Sequence, residues 1–398
     1  MTGYDPVILF GIFVALVLNF INGLTDAAQG VATVVATRAL SPGKAVFLTG
    51  VCNMFGPFVF TTAVAATIGT TIVSPGAMTP STIIVGMLAS IALVFSATRI
   101  GIPLSSSHAL IGGLIGASIA GFGLSAVILP AAGMVLATFG WGVLGAVTGA
   151  VVLAALTAAL HGDYRFALLV GAICGAALAI PLAIVFGLLK LTGLFVVVLF
   201  IFISPVLGAT IAFLFDLLVT HLFRNSRQNR MKHVFTPLQI LACLFQATGH
   251  GANDGMHAVG VITALLVSAG ILSTFAVPTW VVLLSAIAIG LGTCFGGWKV
   301  VDRMAKGITK IRPYQGFCAG TSGSTTLAFV TMHGIPVSSN HVISGAIVGV
   351  GVTRGKNAVH WEVVREMMTA WVITIPLAAA VAWAVYMAFF SLLVPILP

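Results

Sequence analysis

Long apolar runs, separated by short polar segments, form the main pattern along this chain. Five of them hold 20 or more positions without a charge, apart from Asp216: residues 44–70, 166–189, 193–222, 278–298 and 366–395. About 20 apolar residues in a helix cross the hydrocarbon layer of a membrane. The alternation typical of a β-barrel strand is absent, so the runs predict membrane-spanning helices.

Extending this pattern to the whole chain predicts an all-α polytopic membrane protein with about twelve transmembrane segments. The predicted segments are residues 5–38, 44–70, 80–98, 105–121, 129–160, 166–189, 193–222, 235–270, 278–298, 314–332, 338–353 and 366–395. Two are longer than one membrane thickness, 5–38 and 235–270, and each contains glycine and polar residues. Two are short, 105–121 and 338–353, and each begins with Pro-x-Ser-Ser. We expect broken or re-entrant helices among these four.

Composition and charge agree with a membrane protein. Hydrophobic residues make up 59% of the 398 residues and charged residues only 6%, whereas about a quarter of a soluble domain is charged. With the N-terminus outside, every lysine and arginine except Lys190 falls on the cytoplasmic side, as the positive-inside rule requires. We therefore expect a plasma-membrane protein with both termini outside, and no nucleic-acid partner despite the net charge of +9.

A sequence repeat divides the chain. The octapeptide GIPLSSSH at 101–108 matches GIPVSSNH at 334–341, and NGLTD at 22–26 aligns with HGAND at 250–254. We predict a first half (1–223, with repeat 1 at about 1–121), a basic cytoplasmic loop (224–234) and a second half (235–398, with repeat 2 at about 235–353). The predicted topology runs the two repeats in opposite directions, a plan shared by many secondary transporters.

Two aspartates, Asp26 and Asp254, lie at equivalent repeat positions inside predicted spans. An ionised carboxylate at membrane depth costs at least about 2.5–3.5 kcal/mol, and no lysine or arginine lies within the interior of a predicted span to offset it. A bound sodium ion or a proton would do so. Sodium takes oxygen ligands, which Asn22, Asn253, Thr25 and the carbonyls freed at Gly23 and Gly251 would supply. Two protonated, structural aspartates are the alternative.

The repeated serine segments predict an anion site. A proline suits a helix start, so the serines after it would lie in a first turn, where free backbone amides attract anions. Two such ends would clamp a tetrahedral oxyanion, and the alternative is simple N-capping. The expected phosphate-binding residues are Ser105, Ser106, Ser107, Ser338, Ser339, Asn340, Gln29, His257 and Thr25. His108 and His341 are expected to be structural.

Charge balance links the two sites. An anion entering a cavity with two carboxylates would be repelled until a cation neutralises each of them, which favours symport over exchange or a channel. A membrane enzyme is the other class considered, but no nucleophile elbow, metal-ligand spacing or nucleotide loop appears. We expect no enzyme activity and no cofactor, with sodium as a co-transported substrate.

These motifs resemble the inorganic phosphate transporter family, often called PiT, over nearly the whole chain. The resemblance rests on residues 22–42, on GANDGMHAVG at 251–260 and on both Pro-x-Ser-Ser segments. It implies uptake of phosphate driven by sodium or protons, although members also include sulfate and metal-phosphate carriers. It also implies functional roles for Asp26, Asp254, Asn253, Ser105, Ser106, Ser338 and Ser339.

The chain departs from the family pattern at three positions. Gln29 and His257 stand where asparagine is common, and Thr25 stands where histidine or asparagine is common. The resemblance therefore leaves a proton-coupled phosphate or sulfate permease as the alternative. The expected partners are inorganic phosphate, sodium and the lipid bilayer, and the long outer helices would permit a homodimer.

Overall fold

The computed structural model describes residues 5–102, 104–159, 164–296 and 308–393, except for the side chains of residues 27–30, 166 and 390–393. These residues form thirteen α-helices. The helices are α1 (Pro6–Ala36), α2 (Pro42–Phe55), α3 (Ala63–Thr70), α4 (Pro80–Ile100), α5 (Ser106–Phe122), α6 (Ala132–Ala159), α7 (Tyr164–Val185), α8 (Gly193–Leu222), α9 (Gln228–Ser268), α10 (Thr279–Phe295), α11 (Pro313–Met332), α12 (Ser339–Val352) and α13 (Trp361–Leu393).

Six helices in the described ranges are long and apolar enough to cross a membrane: α1, α4, α6, α7, α8 and α13. The bent pair α2–α3 makes a seventh if it is one broken span. The chain is therefore an all-helical integral membrane protein. Helices α5, α10 and α12 are apolar but shorter, so the count of twelve crossings stays a prediction.

The sequence GIP builds the same turn in both repeats. Gly101 ends α4 with a φ of 79°, and the amide of Ile102 donates to the Ala97 carbonyl at 2.9 Å. Gly334 follows α11 with a φ of 66°, and Ile335 donates to the Val330 carbonyl at 3.0 Å. Glycine at such a left-handed position, closed by the next amide, is a common helix ending.

The proline of the second segment does not start its short helix. Pro336 follows the ending of α11, and α12 begins three residues later, at Ser339. The prediction of proline at the helix start is wrong for Pro336, because Ser338 takes the N-cap position instead. Pro103 lies outside the described residues. The serines do lie where predicted, with Ser105 as N-cap of α5 and Ser106 and Ser107 in its first turn.

The predicted crossing 44–70 is broken. Helix α2 ends at Phe55, a short 3-10 turn covers Gly56–Phe58, and α3 leaves at an angle of 75°. Gly56 lies against the backbone of Thr248 and Ala252 on α9, where a side chain would have no room. Pro57 follows and supplies no amide hydrogen to continue the helix.

The long segments, by contrast, are continuous. Helix α1 runs through Gly23 and α9 runs through Gly251, so the expected free carbonyls at these two glycines are wrong. Both glycines serve close packing, since Gly23 lies against the Ile289 carbonyl and Gly251 against the Asn53 carbonyl. Helix α9 also begins at Gln228, within the segment 224–234 that was predicted to be a loop.

The two short helices pack in equivalent surroundings. Helix α5 packs against α4 and α13, and α12 packs against α11 and α8. The repeated glycines make these contacts close: Gly112 and Gly116 lie against carbonyls of α13, and Gly345 and Gly349 against carbonyls of α8. Small residues allow membrane helices to approach in this way. The repeat in the sequence is therefore also a repeat in packing.

Candidate functional site

Two carboxylates lie buried at the centre of the molecule, where α1 and α9 pack together. Asp26 on α1 is 4% exposed and Asp254 on α9 is fully buried. The ring of His250, one turn before Asp254, lies between them: its Nε2 is 3.0 Å from Asp254 Oδ2 and 3.7 Å from Asp26 Oδ2. Residues 26, 250 and 254 together form a compact cluster of possible cation ligands.

Each carboxylate also accepts a hydrogen bond from a serine of its own repeat. Ser106 Oγ donates to Asp26 Oδ2 at 2.8 Å, and Ser339 Oγ donates to Asp254 Oδ2 at 2.9 Å. Ser106 and Ser339 are equivalent residues in the first turns of α5 and α12. The repeat thus places the same pair of groups twice, and in this conformation these two hydroxyls face carboxylates.

Other contacts cross from one half to the other. Asn340 Nδ2, on α12, donates to Asp26 Oδ1 at 3.0 Å, and Asn22 Nδ2 donates to the Asp254 carbonyl at 3.4 Å. Within the first half, Asn22 Oδ1 also lies 2.6 Å from Ser106 Oγ. Each carboxylate region is therefore built by residues of both halves.

The remaining predicted cation ligands lie beside these groups. Thr25 Oγ1 is 3.1 Å from the Asn22 carbonyl and 3.3 Å from Asp26 Oδ1. Asn253 faces Asp254 Oδ1 and the Val337 carbonyl, at 3.1 Å each, when its amide nitrogen is assigned to that side. The four residues predicted to bind sodium, Asn22, Asp26, Asn253 and Asp254, thus lie in one cluster, and Thr25 belongs to it.

Three of the predicted anion ligands contact the carboxylates, namely Ser106, Ser339 and Thr25. The others with described side chains divide into two groups. Ser105 Oγ caps α5 by accepting from the His108 amide at 3.2 Å, and Ser338 is the N-cap residue of α12 without a side-chain cap bond. Ser107 Oγ, His257 Nε2 and Asn340 Oδ1 are buried and have no hydrogen-bond partner among the described residues. Buried polar atoms are rarely left unpaired, so these three point to a ligand. The side chain of Gln29 lies outside the description.

Sequence reasoning missed two residues of this site, His250 and Asn53. The prediction treated only lysine and arginine as protein cations. It therefore omitted the imidazole of His250, which lies between the carboxylates. Its signal is present in the sequence, because residue 250 precedes Asp254 by four and so shares its helix face. Asn53 Oδ1 lies 3.0 Å from His250 Nδ1. The apolar segment around Asn53 contains no sequence motif that predicts this contact.

The histidines of the repeated octapeptides meet each other. The rings of His108 and His341 are 4.9 Å apart in an edge-to-face arrangement, and His341 stacks on Trp371 of α13 at 4.0 Å. Both histidines are buried. They form a packed contact between the first turns of α5 and α12, next to the serines.

Comparison with known proteins assigns the chain to a family. A family model described as the phosphate transporter family matches residues 22–167 and 166–382. The chain belongs to the phosphate transporter family. It is therefore a membrane transporter and not an enzyme, and the resemblance inferred from the motifs is confirmed.

Similar proteins span the same length as this member of the phosphate transporter family. A probable low-affinity inorganic phosphate transporter of Rhizobium meliloti (strain 1021) is 38% identical over 96% of both chains. One of Bacillus subtilis (strain 168) is 31% identical over 94% of both chains. A solved structure described as the sodium-dependent phosphate transporter matches with a TM-score of 0.68 at 24% identity, covering 97% of this chain and 99% of that one. At this identity the structural match shows the shared fold.

Proposed function

We propose that this protein carries inorganic phosphate across the plasma membrane together with sodium, by symport. The observation that carries the proposal is the duplicated pair of a buried aspartate and a first-turn serine, Asp26 with Ser106 and Asp254 with Ser339. Support comes also from the family, whose similar members are described as inorganic phosphate transporters. The protein with the same fold is described as sodium-dependent.

Electrostatics explains why the two substrates would move together. The described part of the site holds two carboxylates and no lysine or arginine. A phosphate anion entering it is repelled by both negative charges. Sodium ions at Asp26 and Asp254 cancel this repulsion and add attraction. Their oxygen ligands would come from Asn22, Thr25 and Asn253, whose amide oxygen would turn toward Asp254 when the ion binds. Phosphate then binds well only after the cations, which is the requirement for coupled transport.

The anion would lie between the first turns of α5 and α12. Free amides at a helix start carry about half a positive charge, and two starts meet here, as the His108–His341 contact indicates. The unpaired atoms of Ser107, Asn340 and His257 add polar groups to the same region. Ser105 caps the start of α5 through its side chain, and Ser338 occupies the N-cap position of α12.

Transport would proceed by alternating access. We propose that the two repeats run in opposite directions through the membrane, that the chain makes about twelve crossings or re-entrant passes, and that α5 and α12 act as gates. The equivalent packing of α5 on α13 and of α12 on α8 supports two equivalent gates. Rocking of the halves would expose the central site to each side in turn.

Coupling to protons is the second candidate, because His250 lies between the carboxylates. Histidine is the side chain whose charge changes most readily near neutral pH. A protonated ring would supply one of the positive charges assigned above to sodium. In that case a proton on His250, which pairs with Asp26 and Asp254, would be carried in place of sodium.

Uptake of radiolabelled phosphate into proteoliposomes distinguishes these candidates. An inward sodium gradient at equal pH on both sides should drive accumulation, and a pH gradient without sodium should not. Accumulation driven by the pH gradient alone would replace sodium by protons and keep phosphate as the substrate. Uptake of sulfate without phosphate would contradict the proposed substrate.

A further inference from the structure

The side-chain amide of Asn340 has a fixed orientation. Its Nδ2 donates to Asp26 Oδ1 at 3.0 Å and to the Leu104 carbonyl at 3.4 Å. Its Oδ1 is buried, in a residue that is 1% exposed, and has no partner among the described residues. The amide nitrogen of Asn340 is therefore paired, and its carbonyl oxygen is free.

The carboxylate determines which way the amide faces. An ionised aspartate only accepts hydrogen bonds, and an asparagine amide has one accepting and one donating end. Turning the amide over would bring its oxygen against Asp26 and the Leu104 carbonyl, both of which are acceptors. The orientation with Oδ1 away from Asp26 is therefore the stable one, and it leaves an acceptor free at the start of α12.

The free acceptor differs from the other unpaired groups nearby. The equivalent residue in the first half is Ser107, whose unpaired hydroxyl can donate or accept, and the unpaired Nε2 of His257 can also do either, depending on its tautomer. Asn340 Oδ1 can only accept. The helix starts themselves offer only amide donors. A ligand held by these groups must therefore accept hydrogen bonds on most sides and donate one to Asn340.

We propose that Asn340 Oδ1 accepts a hydrogen bond from the P–O–H group of phosphate and thereby distinguishes phosphate from sulfate. This inference rests on the proposed function, because it assumes that the anion lies between α5 and α12. Phosphate near neutral pH carries at least one hydroxyl proton, whereas sulfate carries none. Sulfate would leave the buried carbonyl oxygen unpaired and facing a negatively charged oxygen, and sites of this kind reject a ligand that lacks the donor.

The same interaction connects recognition of the anion to the first cation site. Asp26 orients Asn340 through the hydrogen bond that its Oδ1 accepts. The carboxylate proposed to bind sodium in one half thus positions the acceptor carried by the other half.

The test uses anions that differ in the hydroxyl proton. Radiolabelled phosphate uptake by the full-length protein in proteoliposomes is measured near neutral pH against unlabelled arsenate, sulfate and monofluorophosphate. Arsenate retains an O–H group, while monofluorophosphate at this pH is a tetrahedral dianion without one. We expect arsenate to compete within about tenfold of phosphate, and sulfate and monofluorophosphate to compete about 100-fold more weakly, as one unmade buried hydrogen bond requires.

A substitution at position 340 supplies the second arm. Asn340→Ser places there the residue found at the equivalent position 107, whose hydroxyl can donate to an anion. The inhibition constants of arsenate and monofluorophosphate should then differ by less than about tenfold. Ser344→Ala, more than one turn further along the same helix, should leave the ratio of the arsenate and monofluorophosphate inhibition constants unchanged, because Ser344 lines an apolar cleft with Pro205 and Val348.

The outcomes separate this inference from the proposed function. Wild-type protein that takes up no phosphate would overturn the proposed function. Wild-type protein that takes up phosphate but is inhibited equally by arsenate and monofluorophosphate would overturn the role of Asn340 alone. Full discrimination in Asn340→Ser would overturn it as well. If that variant does not fold, the wild-type series of analogues still decides.

Discussion

His250 Nε2 lies 3.0 Å from Asp254 Oδ2, one turn away on the same helix, and also faces Asp26 across the interface of the two halves. A single imidazole thus contacts both carboxylates of the site. Its other nitrogen, Nδ1, is held 3.0 Å from Asn53 Oδ1. This arrangement makes His250 the residue on which the choice between sodium and proton coupling depends.

Replacing His250 by glutamine removes the ionisable ring and keeps a hydrogen-bond donor. If sodium ions neutralise the carboxylates, sodium-driven phosphate uptake should survive in His250→Gln with a loss of less than about tenfold, since one neutral hydrogen bond is worth about 1 kcal/mol. The matched control is His233→Gln, an exposed histidine on the same helix. Loss of all gradient-driven uptake in His250→Gln alone would favour proton coupling through this ring.

The serine–aspartate pairs should behave as equivalents. Ser106→Ala and Ser339→Ala each remove one donor from a buried carboxylate, a contribution of about 1.5–3 kcal/mol for a charged acceptor. We expect each variant to weaken sodium-dependent phosphate binding by about 10- to 100-fold. Isothermal titration of purified protein measures this, with Ser344→Ala as control. A large effect of one variant and none of the other would contradict the equivalence.

The repeated glycines of α5 and α12 should contribute to the stability of the fold. An alanine at Gly349 would place its Cβ against the Ala209 carbonyl of α8, and one at Gly116 would meet the Ala379 carbonyl of α13. Overpacking of this kind costs about 1–3 kcal/mol. Both variants should therefore lower the thermal unfolding temperature in detergent.

The control for these glycines is Gly140→Ala on α6, where a Cβ meets nothing within 4 Å. Alanine is a better helix former than glycine by about 0.5–1 kcal/mol. The unfolding temperature of the Gly140→Ala variant should therefore equal or exceed that of the wild-type protein. An unchanged unfolding temperature in Gly116→Ala and Gly349→Ala would show that α5 and α12 do not pack closely on their neighbours.

Much of this fold follows from sequence patterns that depend on local chemistry. The predicted span 193–222 coincides with α8, and the repeated GIP segments correctly locate two short helices that start at serines. Apolar length and helix signals are local properties, so they can be read from one chain. The break at Gly56 is different, because it depends on the close approach of Thr248 and Ala252.

The site was predictable to a similar degree. Asp26 and Asp254 stand out because charged residues are rare inside membrane spans, and the repeat pairs them. That Ser106 and Ser339 face these carboxylates, and that Asn340 reaches Asp26 across the halves, depends on tertiary packing. His250 precedes Asp254 by four residues, so the sequence places both on one helix face. The prediction nevertheless treated only lysine and arginine as protein cations.

Coupled transport, as proposed, requires that cations at Asp26 and Asp254 make anion binding possible. Phosphate binding to purified wild-type protein, measured by isothermal titration in sodium and then in potassium at the same ionic strength, tests this most directly. We predict binding in sodium, binding at least about 100-fold weaker in potassium, and no sodium effect in the double variant Asp26→Asn with Asp254→Asn. Equal phosphate affinity of the wild-type protein in the two salts would contradict the account.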